Sequence, residues 1–412
     1  MKKTLLLLSV PLFLYSESLK DLIVYAKQNN DLLQSKSLQK DAKSQELESS
    51  KSAYFPTLDL GANYQRNDDP QPFSPGTTYS GYAKLSLDLY SGGAKYYTQK
   101  QKEDELSSSS SIYEASKKSL ALQIVQNFYT LKSLEATLIA REEAAKAVNA
   151  QLQRIQRFFE AGLSTSDDVD RLQSAYDKNI YAIESLKFEI LSLKKQLQLQ
   201  VGKDINGFEA SSFKKLTQES EQLDSIEALK YQKSSIINGS ETIDSYYYPQ
   251  VKLEDTYSVF GYQDKPLFNG QPIPLLDNQN TLMLSANIRL FDFGMLGEQK
   301  EALVLQAKAL ESEIAYKTKE QEINIELSYE RIKTAKLNIT SAASALKASK
   351  SALKTITEKY NHKIVDNVVY LDALSSHTEA EATYNEALNN LEVAYALYYF
   401  YNGKNLEEFL NE

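Results

Sequence analysis

With no cysteine and only two histidines, His362 and His377, the chain has few residues that could do covalent or metal chemistry. The missing cysteines exclude disulfides, thiolate metal sites and a thiol nucleophile. His377 falls on a heptad seam, at the position matching Tyr176, and reads as a packed or bridging side chain. No second histidine is placed to join it on a metal. His362 falls where the heptads break and reads as solvated. No nucleophile elbow, metal-ligand cluster or phosphate loop appears. Carboxylates are plentiful. Asp167, Asp168 and Asp170 open a helical segment, where acids favour the helix dipole, and Asp167 reads as a cap. The formal charge is −9, and without Lys2 and Lys3 alone it is −11. An acidic chain is a poor match for nucleic acid. The expectation is a protein without catalytic chemistry or cofactor, whose function lies in its architecture.

That architecture is organised by two matching stretches. Tyr54-Phe55-Pro56 and Tyr247-Tyr248-Pro249 each open a strand, a turn-rich loop and a second strand. The stretches close at Tyr90 to Gly93 and Phe291 to Gly294. Leu58, Leu60, Ala62 and Tyr64 alternate with Asp59, Gly61, Asn63 and Gln65. Ala83, Leu85, Leu87 and Leu89 alternate with Lys84, Ser86 and Asp88. Leu282, Leu284, Ala286, Ile288 and Leu290 alternate with Ser285, Asn287 and Arg289. Each hairpin therefore has one oily and one polar face. Strands of about ten alternating residues with aromatic ends fit a membrane barrel with a wet lumen. Tyr79, Tyr82, Tyr246, Tyr247, Tyr248 and Tyr257 suit an interfacial belt. Asp255 is the misfit. It falls on the oily face with Val251, Leu253 and Tyr257, and a bulge at Glu254-Asp255 would resolve it.

The remaining segments are helical. Residues 1–17 read as a signal peptide with a short apolar run, Thr4 to Tyr15. Without a cysteine at the cut, no lipid anchor of the lipoprotein kind is expected. Ser18-Leu19-Lys20-Asp21 has the form of a capping box, opening a helix to about Ala53 that Asn29-Asn30-Asp31 interrupts. Ile124, Leu131, Leu138, Ala145, Leu152 and Phe159 recur at seven-residue spacing with Leu134, Val148 and Ile155 beside them. This is a coiled-coil seam. Ser107 to Ser111 is a weak helical patch. The seam breaks at Glu160 to Thr165. It resumes through Val169, Tyr176, Ile183, Ile190 and Leu197, flanked by Leu172, Leu186 and Leu193, so the chain folds back with a tip near Gly162. Roughly 65 residues of helix reach about 100 Å. The second half repeats the first, at an offset of 193 residues up to the loop and 201 beyond it. Ile124, Leu131 and Phe159 become Ile325, Ile332 and Tyr360; Val169 and Leu197 become Tyr370 and Tyr398. Residues 18–204 form the first repeat with hairpin 57–90, and 205–222 a connector. Residues 223–402 form the second repeat with hairpin 250–292 and tip near Lys363. Residues 403–412 form a tail.

Four strands cannot close a barrel, and open edges cannot face lipid. Three copies supply a 12-stranded β-barrel, four strands from each chain. The long helices turn back toward the hairpins, and their seams bury only against each other. The expected fold is thus mainly α with a membrane β-barrel, a trimer whose β-barrel continues into a long α-helical coiled-coil barrel. The competing class is a soluble periplasmic coiled-coil protein, structural or an adaptor. It accounts for the heptads but not for two alternating hairpins.

Taken in order, these pieces resemble the TolC family of outer-membrane efflux proteins. The resemblance rests on the leader, the Tyr-aromatic-Pro before each first strand, Leu89-Tyr90-Ser91-Gly92-Gly93, Gly162-Leu163-Ser164-Thr165 with Asp168-Val169, and the duplication. It implies a homotrimeric duct in the outer membrane of a Gram-negative bacterium, in contact with outer-membrane lipid. Such a duct conducts passively for an inner-membrane pump and a periplasmic adaptor, in efflux or type I secretion. It also implies an aperture lined by carboxylates of the second repeat. Leu371-Asp372-Ala373 matches that motif, so Asp372 is the aperture candidate, with Asp168 in the equivalent region of the first half. Val369 stands where the family pattern has a further carboxylate, and Lys363 where a tip glycine is usual. The tips, Gly162, Leu163, Ser164, Thr165, His362, Lys363, Ile364 and Val365, are the implied docking sites for the adaptor.

Overall fold

The structure is a computed structural model that describes residues 18–68, 75–205, 211–214, 220–263, 265 and 267–411. The leader, part of the first hairpin loop and parts of the connector lie outside the described residues. In chain order the elements are α1 (Leu19–Asn29), α2 (Asp31–Ser52), β1 (Thr57–Arg66), β2 (Thr77–Ser91), α3 (Ala94–Glu160) and α4 (Ser166–Val201). Then come β3 (Ser212–Phe213), α5 (Asp224–Asp244), β4 (Gln250–Gln263), β5 (Leu267–Phe268), β6 (Gln271–Pro272) and β7 (Asn278–Asn287). The chain ends with α6 (Met295–Asn361), α7 (Asn367–Tyr401) and β8 (Leu410–Asn411).

The duplication shows in these boundaries. β1 and β4 begin 193 residues apart; β2 and β7, α3 and α6, and α4 and α7 each begin 201 apart. Both α3 and α6 are 67 residues long. The serine run does not loosen α3. Ser107 donates to the Glu103 carbonyl at 2.9 Å, and buried Ser108 donates to the Ala228 carbonyl at 3.0 Å. At Asn30 the first helix does break: the Asn30 side chain accepts from Leu32 and Leu33 N–H, restarting the chain as α2.

The chain divides into two compact units. One comprises residues 38–112 and 225–316 and holds the sheet. Its strands run β1-β2-β4-β7, all antiparallel, so the two hairpins join through β2 and β4. One row across the sheet reads Leu58, Leu85, Asp255, Leu282; the next on that face reads Leu60, Ala83, Tyr257, Asn280. The oily face is bare, with Leu58 67% exposed, Leu60 79%, Leu282 69% and Leu284 65%. On the other face Glu254 lies between Lys84 at 2.7 Å and Lys252 at 2.8 Å. Two expectations are corrected. The ladder is regular through Glu254 and Asp255; the irregularity lies instead between Asp88 and Tyr90 on β2. Asp255 therefore stays on the oily face, and its Oδ1 is buried without a partner among the described residues. Strand β7 stops at Asn287 rather than running to Leu290, because β4 begins at Gln250 and pairs no farther than Asn287. Within the same unit, Asp104 of α3 accepts from Ser234 and Asn238 of α5.

The other unit comprises residues 18–37, 113–224 and 317–411. Its main core packs Leu19, Leu22 and Ile23 of α1 with Ile124, Phe128 and Leu131 of α3, Leu197 of α4 and Tyr399 of α7. The short β3–β8 ladder sits on this core, with Phe213 against Tyr399 and Tyr399 stacked on Phe409 at 4.1 Å. A second cluster gathers Val148, Leu152, Leu172, Tyr360, Tyr370 and Leu374. The seam residues Ile124, Leu131, Ala145, Leu152, Ile183, Ile190 and Leu197 are buried, while Phe159, at the last turn of α3, is exposed. Among the described residues no helix is long and apolar enough to cross a membrane.

Candidate functional site

The helix turns at the ends of α3 and α6 are built alike. A helix ends when a residue enters the left-handed region and the orphan carbonyls find new donors. Gly162 does this with φ +73°; Gly162 N–H donates to Phe159 at 2.9 Å and Leu163 N–H to Phe158 at 2.7 Å. Lys363 does the same with φ +58°, with Lys363 N–H bonding Tyr360 at 3.1 Å and Ile364 N–H bonding Lys359 at 2.9 Å. The lysine carries a conformational cost that the glycine avoids. The returning helices are then capped. Thr165 Oγ1 accepts from Asp168 N–H at 3.3 Å, and Asp366 Oδ1 accepts from Val369 N–H at 3.0 Å. Both arrangements satisfy donors that a helix start leaves open.

The two turns meet through polar groups that the heptads do not reveal. Arg154 of α3 donates from Nη1 to Asn361 Oδ1 at 2.7 Å and from Nη2 to the Asn361 carbonyl at 3.2 Å. The Phe158 ring lies under the Arg154 guanidinium at 5.4 Å and the Lys363 ammonium at 4.9 Å. These cation–ring contacts offset part of the cost of the left-handed lysine. Asn367 Nδ2 of α7 donates to Asp168 Oδ1 at 3.2 Å and to the Asp168 carbonyl at 3.3 Å. Between the turns lies a cavity of about 330 Å³ lined by Phe158, Leu163, Asp168, Tyr360, Lys363 and Asn367, among others. Tyr360 stacks on Tyr370 at 4.9 Å, and its hydroxyl is buried with no hydrogen-bond partner. Burial pushes both phenols up.

The two carboxylates singled out from sequence thus sit differently. Asp168 is engaged: it also accepts from Ser164 Oγ at 3.0 Å and Thr165 Oγ1 at 3.1 Å. Asp372 is exposed on α7. Of the tip residues, Gly162, Leu163, Thr165, His362, Lys363 and Ile364 are exposed, and Ser164 and Val365 are half-buried. Leu163 and Ile364 are large apolar side chains at equivalent places in the two turns. His377 is half-buried on α7, with Nδ1 3.4 Å from Ser349 Oγ of α6. Among the described residues no group of three histidines or acids is placed to hold a metal ion. Sequence reading missed Arg154, Phe158 and Asn367, and it placed Asn361 at the tip without its bond to Arg154. The only signal for them was the repeat itself, which places Asn361 and Glu160 at matching helix ends.

Comparison with known proteins bears on both units. Residues 22–200 match the family described as outer membrane efflux protein. Outer membrane protein TolC of Vibrio cholerae is 29% identical over 164 residues, which is 40% of this chain and 37% of that protein. The chain thus matches well under half of that relative's length. In fold the likeness is nearly complete. A membrane protein from Pseudomonas aeruginosa superposes with a TM-score of 0.80 at 15% identity, over 95% of this chain and 91% of that one. The Campylobacter jejuni CmeC outer membrane channel does so with a TM-score of 0.82 at 14% identity, over 93% and 85%.

Proposed function

We propose that this chain, kin to the outer membrane efflux proteins in sequence across its first half and in fold across nearly its whole length, is an outer-membrane exit duct. It passively conducts substrates for a tripartite efflux or type I secretion system of a Gram-negative bacterium. The observation that carries this reading is the bare oily face of the four-stranded sheet. An apolar face of that kind on a water-soluble sheet is an aggregation liability; in a bilayer, lipid covers it. Four strands leave two open edges that lipid cannot satisfy, so the duct is a homotrimer. The soluble coiled-coil alternative leaves both the face and the edges in water.

In this reading the chain is a conduit rather than an enzyme. A periplasmic adaptor docks at the tips, with Leu163 and Ile364 as apolar contacts and Gly162, Ser164, Thr165, His362, Lys363 and Val365 around them. An inner-membrane pump supplies the energy. Asp372 lines the aperture, and Asp168 joins it when its bonds to Ser164, Thr165 and Asn367 are released. The test is fractionation followed by conductance. A heat-modifiable trimer from outer-membrane fractions that opens single channels in planar bilayers is the expected result. A monomer in the soluble periplasmic fraction overturns the reading.

A further inference from the structure

The two outer edges of the sheet, β1 and β7, are unpaired among the described residues, and the duplication states how they should pair with each other. The offsets already carry strand register correctly once. β1 pairs β2 with Thr57 opposite Ser86. Moving Thr57 by 193 and Ser86 by 201 gives Gln250 opposite Asn287, and that is the observed β4–β7 pairing. The seam between the hairpins, β2 with β4, can be moved in the same way. It becomes a seam between β7 and the β1 of another copy, since this chain's own β1 lies on the far side of the sheet.

We infer that β7 of one copy pairs antiparallel with β1 of a second copy, with Arg289 directly opposite Asp59 of the second copy; this rests on the trimeric duct proposed above. The moved register places Leu284 opposite Tyr64, Ala286 opposite Ala62, Ile288 opposite Leu60 and, past a bulge at Leu290, Phe291 opposite Leu58. Every one of these is an oily-face pair. On the polar face Asp88 opposite Lys252 becomes Arg289 opposite Asp59. The charges exchange strands and remain opposite in sign. Arg289 and Asp59 are both exposed, and neither forms an ion pair among the described residues. Opposite charges directly across a ladder favour one register; a slip of one residue puts every side chain on the wrong face.

A second observation supports the seam. On β2, residues 87 to 91 extend past the end of β1, yet remain strand because β4 pairs them. The matching residues 288 to 292 extend past the end of β4 and have no such neighbour, and there the strand is lost. Leu290 is 83% exposed and Phe293 91%. A second β1 is the missing neighbour. The ends of the seam match too. Gly92, with φ +63°, lies so close to the Ser245 carbonyl that a Cβ would sit 2.2 Å from it. Its counterpart Phe293 also holds a positive φ, +57°, and meets only the ring of nearby Phe291, at 4.6 Å, among the described residues; Ser52 of the second copy is the counterpart of Ser245.

The cysteine-free chain makes the test direct. Full-length protein carrying Asp59→Cys and Arg289→Cys is oxidised in outer-membrane fractions. Within one chain these positions lie at opposite edges of the sheet, about 14 Å apart across three strand spacings and farther apart along the strands, since the row of Asp59 meets β7 at Thr281; they are beyond disulfide reach. The expected product is a covalently linked trimer, with little linkage when Arg289→Cys is combined with Thr57→Cys or Asn63→Cys, which lie out of register. Preferential linkage through either of those, or no linkage in any pairing of an intact trimer, overturns the register. A wild-type chain that is not trimeric overturns the duct reading instead. As a second measurement, Arg289→Asp should lower the yield of detergent-resistant trimer roughly fivefold, a surface-pair effect, and adding Asp59→Arg should restore it. A double variant as poor as the single one overturns the ion pair.

Discussion

Asn367, the first residue of α7, is hydrogen-bonded through its side chain to both the carboxylate and the carbonyl of Asp168 in the first turn of α4. One buried amide thus ties the starts of two returning helices from different repeats. Asn367→Ala removes two hydrogen bonds, at about 1 kcal/mol each. Amide hydrogen exchange should quicken in the first turns of α4 and α7 while the rest of both helices keeps its protection. Uniform protection in the variant would show the tie to be idle.

Asp372 should give the duct a cation-binding ring. Three copies around one axis at about 6 Å repel by roughly 3 kcal/mol per pair at an effective dielectric near 20, before screening. The ring attracts cations without holding the tip closed. Single-channel current should be blocked by divalent or trivalent cations added on the tip side, and Asp372→Asn should weaken the block. Unchanged block in Asp372→Asn and in its combination with Asp168→Asn removes both residues from the aperture.

The left-handed positions should respond unequally. Gly92→Ala forces a Cβ into the Ser245 carbonyl, whereas Gly162→Ala meets nothing within 4 Å. The second costs only the backbone term, about 1–2 kcal/mol; the first should prevent trimer recovery. Lys363→Gly gains up to about 1 kcal/mol from relieved backbone strain and loses the contact with Phe158. Thermal melts of the three variants rank these effects, with Gly162→Ala milder than Gly92→Ala.

Glu392 carries a pH dependence of definite sign. Burial raises its carboxyl above the usual range, opposed by the Phe213 amide, which donates to it at 2.7 Å, and by the Lys132 charge. Such an acid holds its proton more tightly folded than unfolded. Its contribution is fully present below the unfolded pKa and is lost as pH rises through the folded one. Chemical denaturation above pH 4.5 should therefore show wild type losing stability with rising pH, and Glu392→Gln losing less. Parallel curves contradict this.

The hairpin ends away from the helices should face outward from the cell. The second loop carries its own small β5–β6 ladder, which turns at Asn269-Gly270. An epitope inserted there, or in the first loop between Arg66 and Thr77, should bind antibody on intact cells. Labelling only after permeabilisation reverses the orientation.

The fold was legible where periodicity is enforced by burial. Seam positions such as Ile124, Leu131 and Leu197 have one buried solution, and the alternation in β1 and β2 fixes which residues share the oily face. The end of β7 was not legible, because Ile288 and Leu290 continue the alternation while β4 begins at Gln250 and pairs no farther than Asn287. Nor was the position of Asp255, since a regular ladder kept it on the oily face where a bulge had been expected. At the tips, composition marks the turns, since Gly162 and Asp366 are turn and cap residues. The bonds from Arg154 to Asn361 and from Asn367 to Asp168 join residues some 200 positions apart, and no local pattern reports them.

Because β1 and β7 are different edges of one sheet, the proposed contact between them is head to tail. It has no twofold axis and so does not limit how many copies join. A flat sheet with the same seam would grow as an endless ribbon. What ends the growth is the right-handed twist that each strand adds, accentuated where β2 bulges between Asp88 and Tyr90. The number of subunits is therefore a property of curvature distributed over the backbone, and the seam residues determine only that neighbours join in step.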